Sequence, residues 1–550
     1  MRRKNLTVLI ALILGSTLVL PILPSASAAD TQTRGVNWRA DKDALPGTVI
    51  YSLKTVGAAE QASACVLGFA DPLCDSKSAT LLVNNYLPLC ESEKTLDCID
   101  TVSWKKSDGT LVAGKYSKIR GSEWADYAFA RNEALRVNKP TLPQVFTFAG
   151  LTHSKGSDFA VTAHVSTRIT AGTAADPDIS LVILPVYQVA GLDPGDDNEC
   201  ITANGADVDS VCYKIGDLAE AARFKVSLKL LARPQGWMTG RVVDPSITFT
   251  APTDIEKRTV VTLEGTSMDV QTIDRTYSLA KPAEKSKWDT VATAFGDSRA
   301  PWSTAGDATY PLPPDKTSIS IFNSIVSAEK SASASTTPSF DIADSLKSLW
   351  RVDLQPKGRA DGVTCDSSNF QGFVSSNAMV YKSALPNYDK STGTLDYSIS
   401  SPHYKPDGKS EFLGRYDLLV ATDYARCVWD LKAGEIPAKD AVTVTIEKAG
   451  EKKIISAEMS LDDQYFKFTA QGFTFSQAKL SIKLKAKESI TTPAPTPAPA
   501  AAVSAATTAA PTAAAKAAAP TTTTITCVKG KTSKKVTGAK PVCPAGFKKK

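Results

Sequence analysis

The stretch "RFKVSLKLLARPQGWMTGRVVDPSITFT" occupies residues 223–250. Phe224, Val226, Leu228 and Leu230 alternate with Lys225, Ser227 and Lys229. A period of two puts the apolar residues on one face of an extended chain, which is the pattern of a half-buried β-strand. Pro234-Gln235-Gly236 interrupts the run, and the pattern resumes after Gly240. Proline fixes φ and glycine admits positive φ, so this interruption reads as a turn between two strands.

The same signature extends in both directions. "DFAVTAHVSTRIT" (158–170) and "RTVVTLEGTSMDV" (258–270) alternate, and "LVILPVYQVAGL" (181–192) is a continuous apolar run suited to a strand covered on both faces. "CIDTVSWKKSDGTLVAGKY" (98–116) holds two runs joined at Asp108-Gly109, a strong hairpin signal. Short strands separated by Gly, Pro and Asp turns make residues 30–285 a β-rich sandwich domain rather than a parallel α/β domain. Residues 286–360 differ: "KWDTVATAF" (287–295), "SISIFNSIVSAEKSA" (318–332) and "SFDIADSLKSLW" (339–350) have helical spacing, so a small helical insert is expected there.

Residues 361–490 return to strands. "GRYDLLVATDYARCVWDL" (414–431) reads as one strand with Cys427 and Trp429 on a shared face. Val442, Val444 and Ile446 share a face of another, as do Leu480, Ile482 and Leu484. A tryptophan packed on a Cys365–Cys427 bridge suits an immunoglobulin-like domain. The fold class expected is mainly β: two β-sandwich regions, immunoglobulin-like or jelly-roll-like, with the helical insert between them.

The two ends are of another kind. Arg2, Arg3 and Lys4 precede the apolar run 6–20, and Ala26-Ser27-Ala28 offers a cleavage site, so residues 1–29 read as a signal peptide. No later run reaches transmembrane length, so no span is expected in the mature protein. In 491–524 only Val503, Ser504 and Lys516 depart from Ala, Pro and Thr. With no core to bury, 491–525 reads as a disordered linker, able to reach roughly 100 Å if stretched in polyproline II. Beyond it, 526–550 is a basic Cys/Lys module.

Charge is informative once divided. The formal total is +6, of which the leader holds +3, Lys516 +1 and residues 526–550 +8, leaving −6 on residues 30–490. The tail's cations are Lys529, Lys531, Lys534, Lys535, Lys540, Lys548, Lys549 and Lys550, with no acid among them.

The ten cysteines fall as local pairs: Cys65/Cys74, Cys90/Cys98, Cys200/Cys212, Cys365/Cys427 and Cys527/Cys543. Exported chains sit where disulfides persist, and short loops are the easiest to close, so nearest-neighbour bridges are expected. There is no CxxC motif and no histidine beside any pair, which disfavours a metal centre. In the tail, closing fifteen intervening residues is worth about 3 kcal/mol in the chain-entropy model, stabilisation that a segment without a core needs.

Catalytic signatures are scarce. The three histidines, His153, His164 and His403, lie in no G-x-S-x-G or H-E-x-x-H context, and no carboxylate pair stands out, so no catalytic residue is named. The acidic loop 192–212 holds Asp193, Asp196, Asp197, Asp207 and Asp209, hard oxygen ligands that suit Ca²⁺ as the one candidate cofactor. It departs from the EF-hand pattern, and a solvated acidic loop explains it as well. Trp104, Trp237, Trp302 and Trp429 are candidates for a sugar-stacking face, Trp237 being the one expected at the surface, with core packing the default for each.

"CESEKTLDCIDTVSWKKSDGTLVAG", "FKVSLKLLARPQGWMTGRVVDPSITF", "GRYDLLVATDYARCVWDL" and the ending "TCVKGKTSKKVTGAKPVCPAGFKKK" resemble stretches of large secreted or cell-surface proteins of Gram-positive bacteria that have no assigned activity. The tail resembles a short Cys/Lys ending found on otherwise dissimilar exported proteins, which implies a portable module for retention at the envelope. The expectation is a secreted, surface-associated, non-enzymatic protein. Its tail would bind an anionic envelope polymer or lipid head groups, without specific nucleic-acid recognition. The alternative is a carbohydrate-active protein, a glycoside hydrolase or a sugar-binding module with polysaccharide as partner.

Overall fold

The computed structural model describes residues 33–549 apart from 39–48, 91–95, 118–129, 190–211, 253–256, 296–301, 305–317, 333–337, 355–364, 382–385, 432–441, 485–522, 539–547 and gaps of one to three residues. The leader 1–29 and all but the last three residues of the linker 491–525 therefore lie outside the described residues. The chain divides into two units, Met1–Ser489 and Ile490–Lys550.

The first unit is mainly β. The stretch 223–250 forms two strands, Arg223–Leu230 and Gly236–Thr250, and its alternating Phe224, Val226, Leu228 and Leu230 are all buried. The second strand serves two ladders. Its first half lies between Ser345–Leu354, antiparallel, and Phe370–Ser376, parallel; its second half pairs with Thr259–Ser278. The register slips between Val243 and Ser246. Asp244 there has a φ of +50°, and Pro245 has no N–H for a ladder, so pairing lapses and the strand can change partners.

One ladder runs Ala59–Ala64, Val49–Val56, Thr80–Tyr86, Asp158–Thr170, Asp178–Val189, Ser345–Leu354, Gly236–Thr250, Phe370–Ser376, Leu413–Ala421, Tyr465–Thr474, Ala457–Leu461. A second joins Leu111–Ala113, Cys98–Lys105, Arg223–Leu230 and Thr259–Ser278. The largest core draws Phe159, Val161 and Leu181 from the first and Phe224, Val226 and Leu263 from the second. A third ladder joins Asn387–Asp389, Thr394–Ser400, Lys479–Leu484, Val442–Lys448 and Glu451–Ile455. Its Leu395, Tyr397, Leu480 and Ile482 share a core with Tyr416, Leu418, Phe466 and Phe468 of the first ladder.

The 98–116 hairpin is present: Lys105 pairs with Leu111, and the Gly109 N–H donates to the Lys106 carbonyl at 2.9 Å. Two of the helical expectations also match, as helices Pro282–Phe295 and Ser318–Ala332. They pack on Trp38, which meets Phe322 and Phe340 edge-on.

Two expectations fail. Residues 339–350 are not helical: a short 3-10 turn, Ser339–Asp341, leads into the strand Ser345–Leu354. From Leu349 to Leu354 every residue of that strand is buried, because Trp350, Val352 and Leu354 enter the largest core while Leu349 on the other face enters a second one, so its burial has no period of two. Nor is 414–431 one strand: Leu413–Ala421 passes into the helix Thr422–Trp429. The helix buries Tyr424, Ala425, Val428 and Trp429, a helical spacing. It ends at Asp430 in the left-handed conformation, with the Leu431 N–H donating to the Arg426 carbonyl at 3.0 Å. Cys427 and Trp429, two apart on a helix, do not face one another.

Candidate functional site

The basic tail is itself a sheet. Thr523–Lys529 pairs antiparallel with Thr532–Gly538, from Thr523 opposite Gly538 to Lys529 opposite Thr532. Lys548–Lys549 pairs with the other edge of Thr523–Lys529, which is therefore the central strand. That strand starts at Thr523, inside the stretch assigned to the linker from its composition; threonine and isoleucine are good strand formers, and composition hid them among Ala and Pro.

The register orders the lysines. Lys534 and Lys549 both stand opposite Cys527, while Ser533 and Lys548 both stand opposite Val528. Residues opposite one another in a ladder form a row across it. The central strand carries Lys529 at its end and no other charge, so most of the described lysines belong to the outer strands. Outer strands lie two strand spacings apart, about 10 Å, close to a Debye length at physiological salt. That spacing moderates repulsion between the lysines of the two outer strands. Lys531, Lys540, Lys550 and Cys543 lie outside the described residues.

Three of the expected bridges are formed: Cys65–Cys74, Cys90–Cys98 and Cys365–Cys427, with Cα–Cα distances of 6.1, 5.2 and 6.0 Å. Cys200 and Cys543 lie outside the described residues, and with them the Cys200–Cys212 and Cys527–Cys543 pairs. So do Asp193, Asp196, Asp197, Asp207 and Asp209, the calcium candidates. Among the described residues, no group of three or more His, Cys, Asp or Glu is placed to hold a metal ion.

The tryptophan expectation needs correction. Trp237 is 1% exposed, not a surface ring, because it packs in a core with Val374 and edge-on to Tyr424, and Gly372 leaves room for the indole. Trp429 is also buried and donates its indole N–H to the Gly393 carbonyl at 3.1 Å. Trp104 is half-buried, and the side chain of Trp302 lies outside the described residues.

Each histidine has its own surroundings. His153 accepts the Lys155 N–H on Nδ1 at 3.2 Å and sits edge-on to Phe159. His164 is buried beside Tyr86; its burial, and then Arg351, hold its pKa down to about 4. His403 Nε2 lies 3.2 Å from Glu411.

Among the described residues, no helix is long and apolar enough to cross a membrane. The chain matches no model of a known protein family and none of the curated proteins compared with it.

Proposed function

We propose that this is an exported, non-enzymatic cell-surface protein whose body is displayed outward and whose basic carboxy-terminal sheet binds anionic envelope polymers or lipid head groups. The observation behind it is the charge partition: +8 on residues 526–550 against −6 on 30–490. The leader supports export, and the disulfides fit an oxidising compartment. Sandwich layering of 30–285 and of an immunoglobulin-like 361–490 belongs to the same proposal, with the connector confined to the helices Pro282–Phe295 and Ser318–Ala332, since Ser345–Leu354 is a strand of the first ladder. Its support is that the two largest cores each draw on two ladders.

Each lysine near an anionic surface contributes about 1 kcal/mol, less where salt screens it. Several acting together hold a tail against geometric losses, whereas the acidic body is repelled by the same surface. Co-sedimentation with vesicles containing anionic lipid, and with isolated cell walls, tests this. The full chain should pellet at low salt and be released by molar salt. A chain lacking 523–550 should stay in the supernatant throughout; if it pellets equally, the body is the binding part.

The second reading, a sugar-binding module, finds its support in a polar pocket of the body rather than in tryptophan rings.

A further inference from the structure

We propose that the body carries a saccharide-binding pocket beside the Cys365–Cys427 bridge, shaped for a sugar unit that bears a carboxylate. The pocket has a volume of about 620 Å³, within the roughly 300–1,000 Å³ usual for small-molecule sites. It forms where the start of Phe370–Ser376, the head of the helix Thr422–Trp429 and Tyr465 meet Arg233 and Phe249.

A bulge builds the first wall. In the parallel pairing Gly236 stands opposite Phe370 and Trp237 opposite Gly372, so Gln371 is an extra residue with no partner across that ladder. Bulges re-aim side chains, and this one lets Phe370 and Gln371, consecutive in the strand, line the same pocket. Gly236 takes a φ of +70°. Gly372 lies so close to the Trp237 indole and the Leu419 carbonyl that a Cβ would collide with both. Two glycines and a buried tryptophan thus fix the bulge.

The polar groups in the wall are unusual. Gln371 is 3% exposed, yet its carboxamide oxygen has no protein partner among the described residues. The Thr422 hydroxyl and the Arg426 Nε–H are likewise buried atoms without a partner among the described residues. Buried polar groups in folded proteins are nearly always hydrogen-bonded. A ligand dense in hydroxyls supplies both a donor to the carboxamide oxygen and an acceptor for the guanidinium N–H. Phe370 and Tyr465, edge-on at 5.8 Å, together with Phe249, give an apolar floor for the C–H face of a sugar ring.

Charge selects the class of sugar. The Arg233 guanidinium lies 4.9 Å over the Phe249 ring and has no carboxylate partner among the described residues. Arg426 reaches Asp423 at 3.4 Å, long for a charge-assisted bond. Two guanidiniums against one acid leave a positive excess that favours a uronic acid over a neutral sugar. The bridge, with both cysteines in the wall, ties the helix to the segment before the bulge.

The test is calorimetric titration of the full chain with all eight tail lysines changed to Gln, so that the tail cannot bind an acidic probe. The probes are a trigalacturonic acid and its neutral galactose counterpart. The acidic trimer should bind at least tenfold more tightly. Arg233→Gln should weaken it at least tenfold and leave the neutral trimer unchanged. Gln371→Leu should weaken both at least tenfold; Thr422→Val, which removes another unpartnered lining group, provides the same test if Gln371→Leu lowers the melting temperature. No binding of either trimer at millimolar concentration, no preference for the acid, or binding that survives these substitutions overturns the proposal. None of these outcomes bears on the tail, which is neutral in every arm.

Discussion

His164 and Gly372 each turn a local environment into a measurable consequence. His164 is held neutral in the fold, with its pKa lowered from 6.5 to about 4 by burial and then by Arg351. The unfolded chain takes up that proton first as pH falls. Stability is therefore full above about pH 6.5 and is lost toward pH 4, by up to about 3 kcal/mol. Asp97 and Asp178 act in the opposite sense, since burial raises both. The informative quantity is thus the difference between wild type and His164→Gln. In denaturant melts at pH 7 and pH 4.5, His164→Gln should lose less stability on acidification; an equal loss would assign the acid sensitivity elsewhere. Gly372→Ala places a methyl group against the Trp237 indole and the Leu419 carbonyl. Overpacking of this kind costs about 1–3 kcal/mol. Chemical denaturation should show that loss, with altered tryptophan fluorescence; an unchanged midpoint would mean that the bulge is loosely held.

The strands were largely legible in the sequence, wherever one face is buried and the other is wet. Val442, Val444 and Ile446, grouped by alternation, pair with Leu484, Ile482 and Leu480, grouped in the same way. Legibility failed where that asymmetry disappears. Leu349–Leu354 of the strand Ser345–Leu354 is buried on both faces, and the spacing of Leu346, Leu349 and Trp350 imitates a helix. Thr422–Trp429 follows a strand without Gly or Pro between them, so the change of period was missed. The pocket was illegible for another reason: Arg233, Gln371 and Arg426 are far apart in the chain, and a one-residue bulge leaves no mark in composition. The three bridges among the described residues were legible as neighbours, and their loop sizes order their effects. Cys365–Cys427 has a sequence separation of 62 against 9 for Cys65–Cys74. The chain-entropy model gives about 4 kcal/mol for the long loop and about 2.5 for the short one. Double Cys→Ser variants should lower the melting temperature in that order; the reverse order would mean that native packing, not loop closure, sets their weight.

Across the molecule, the sequence separates charge of opposite sign: −6 on residues 30–490 and +8 on residues 526–550. The body of formal charge −6 and the basic sheet belong to distinct units, and the Ala/Pro/Thr stretch between them in sequence lies outside the described residues. The charge of the tail was plain in its composition, but its register was not: nothing in the order of residues announced that Lys534 and Lys549 would share a row with Cys527. Non-reduced peptide mapping should recover Cys527 linked to Cys543, and a crosslink from Cys527 to Cys200 or Cys212 would refute a self-contained tail. The most direct test of envelope retention is fractionation of the producing cells with the eight tail lysines replaced by Gln and Cys527 and Cys543 kept. Electrostatic retention predicts that the wild-type protein stays with the cells at low salt and washes off in molar salt, while the lysine-free form is found in the medium from the start. A lysine-free form that remains attached through the salt wash would contradict it.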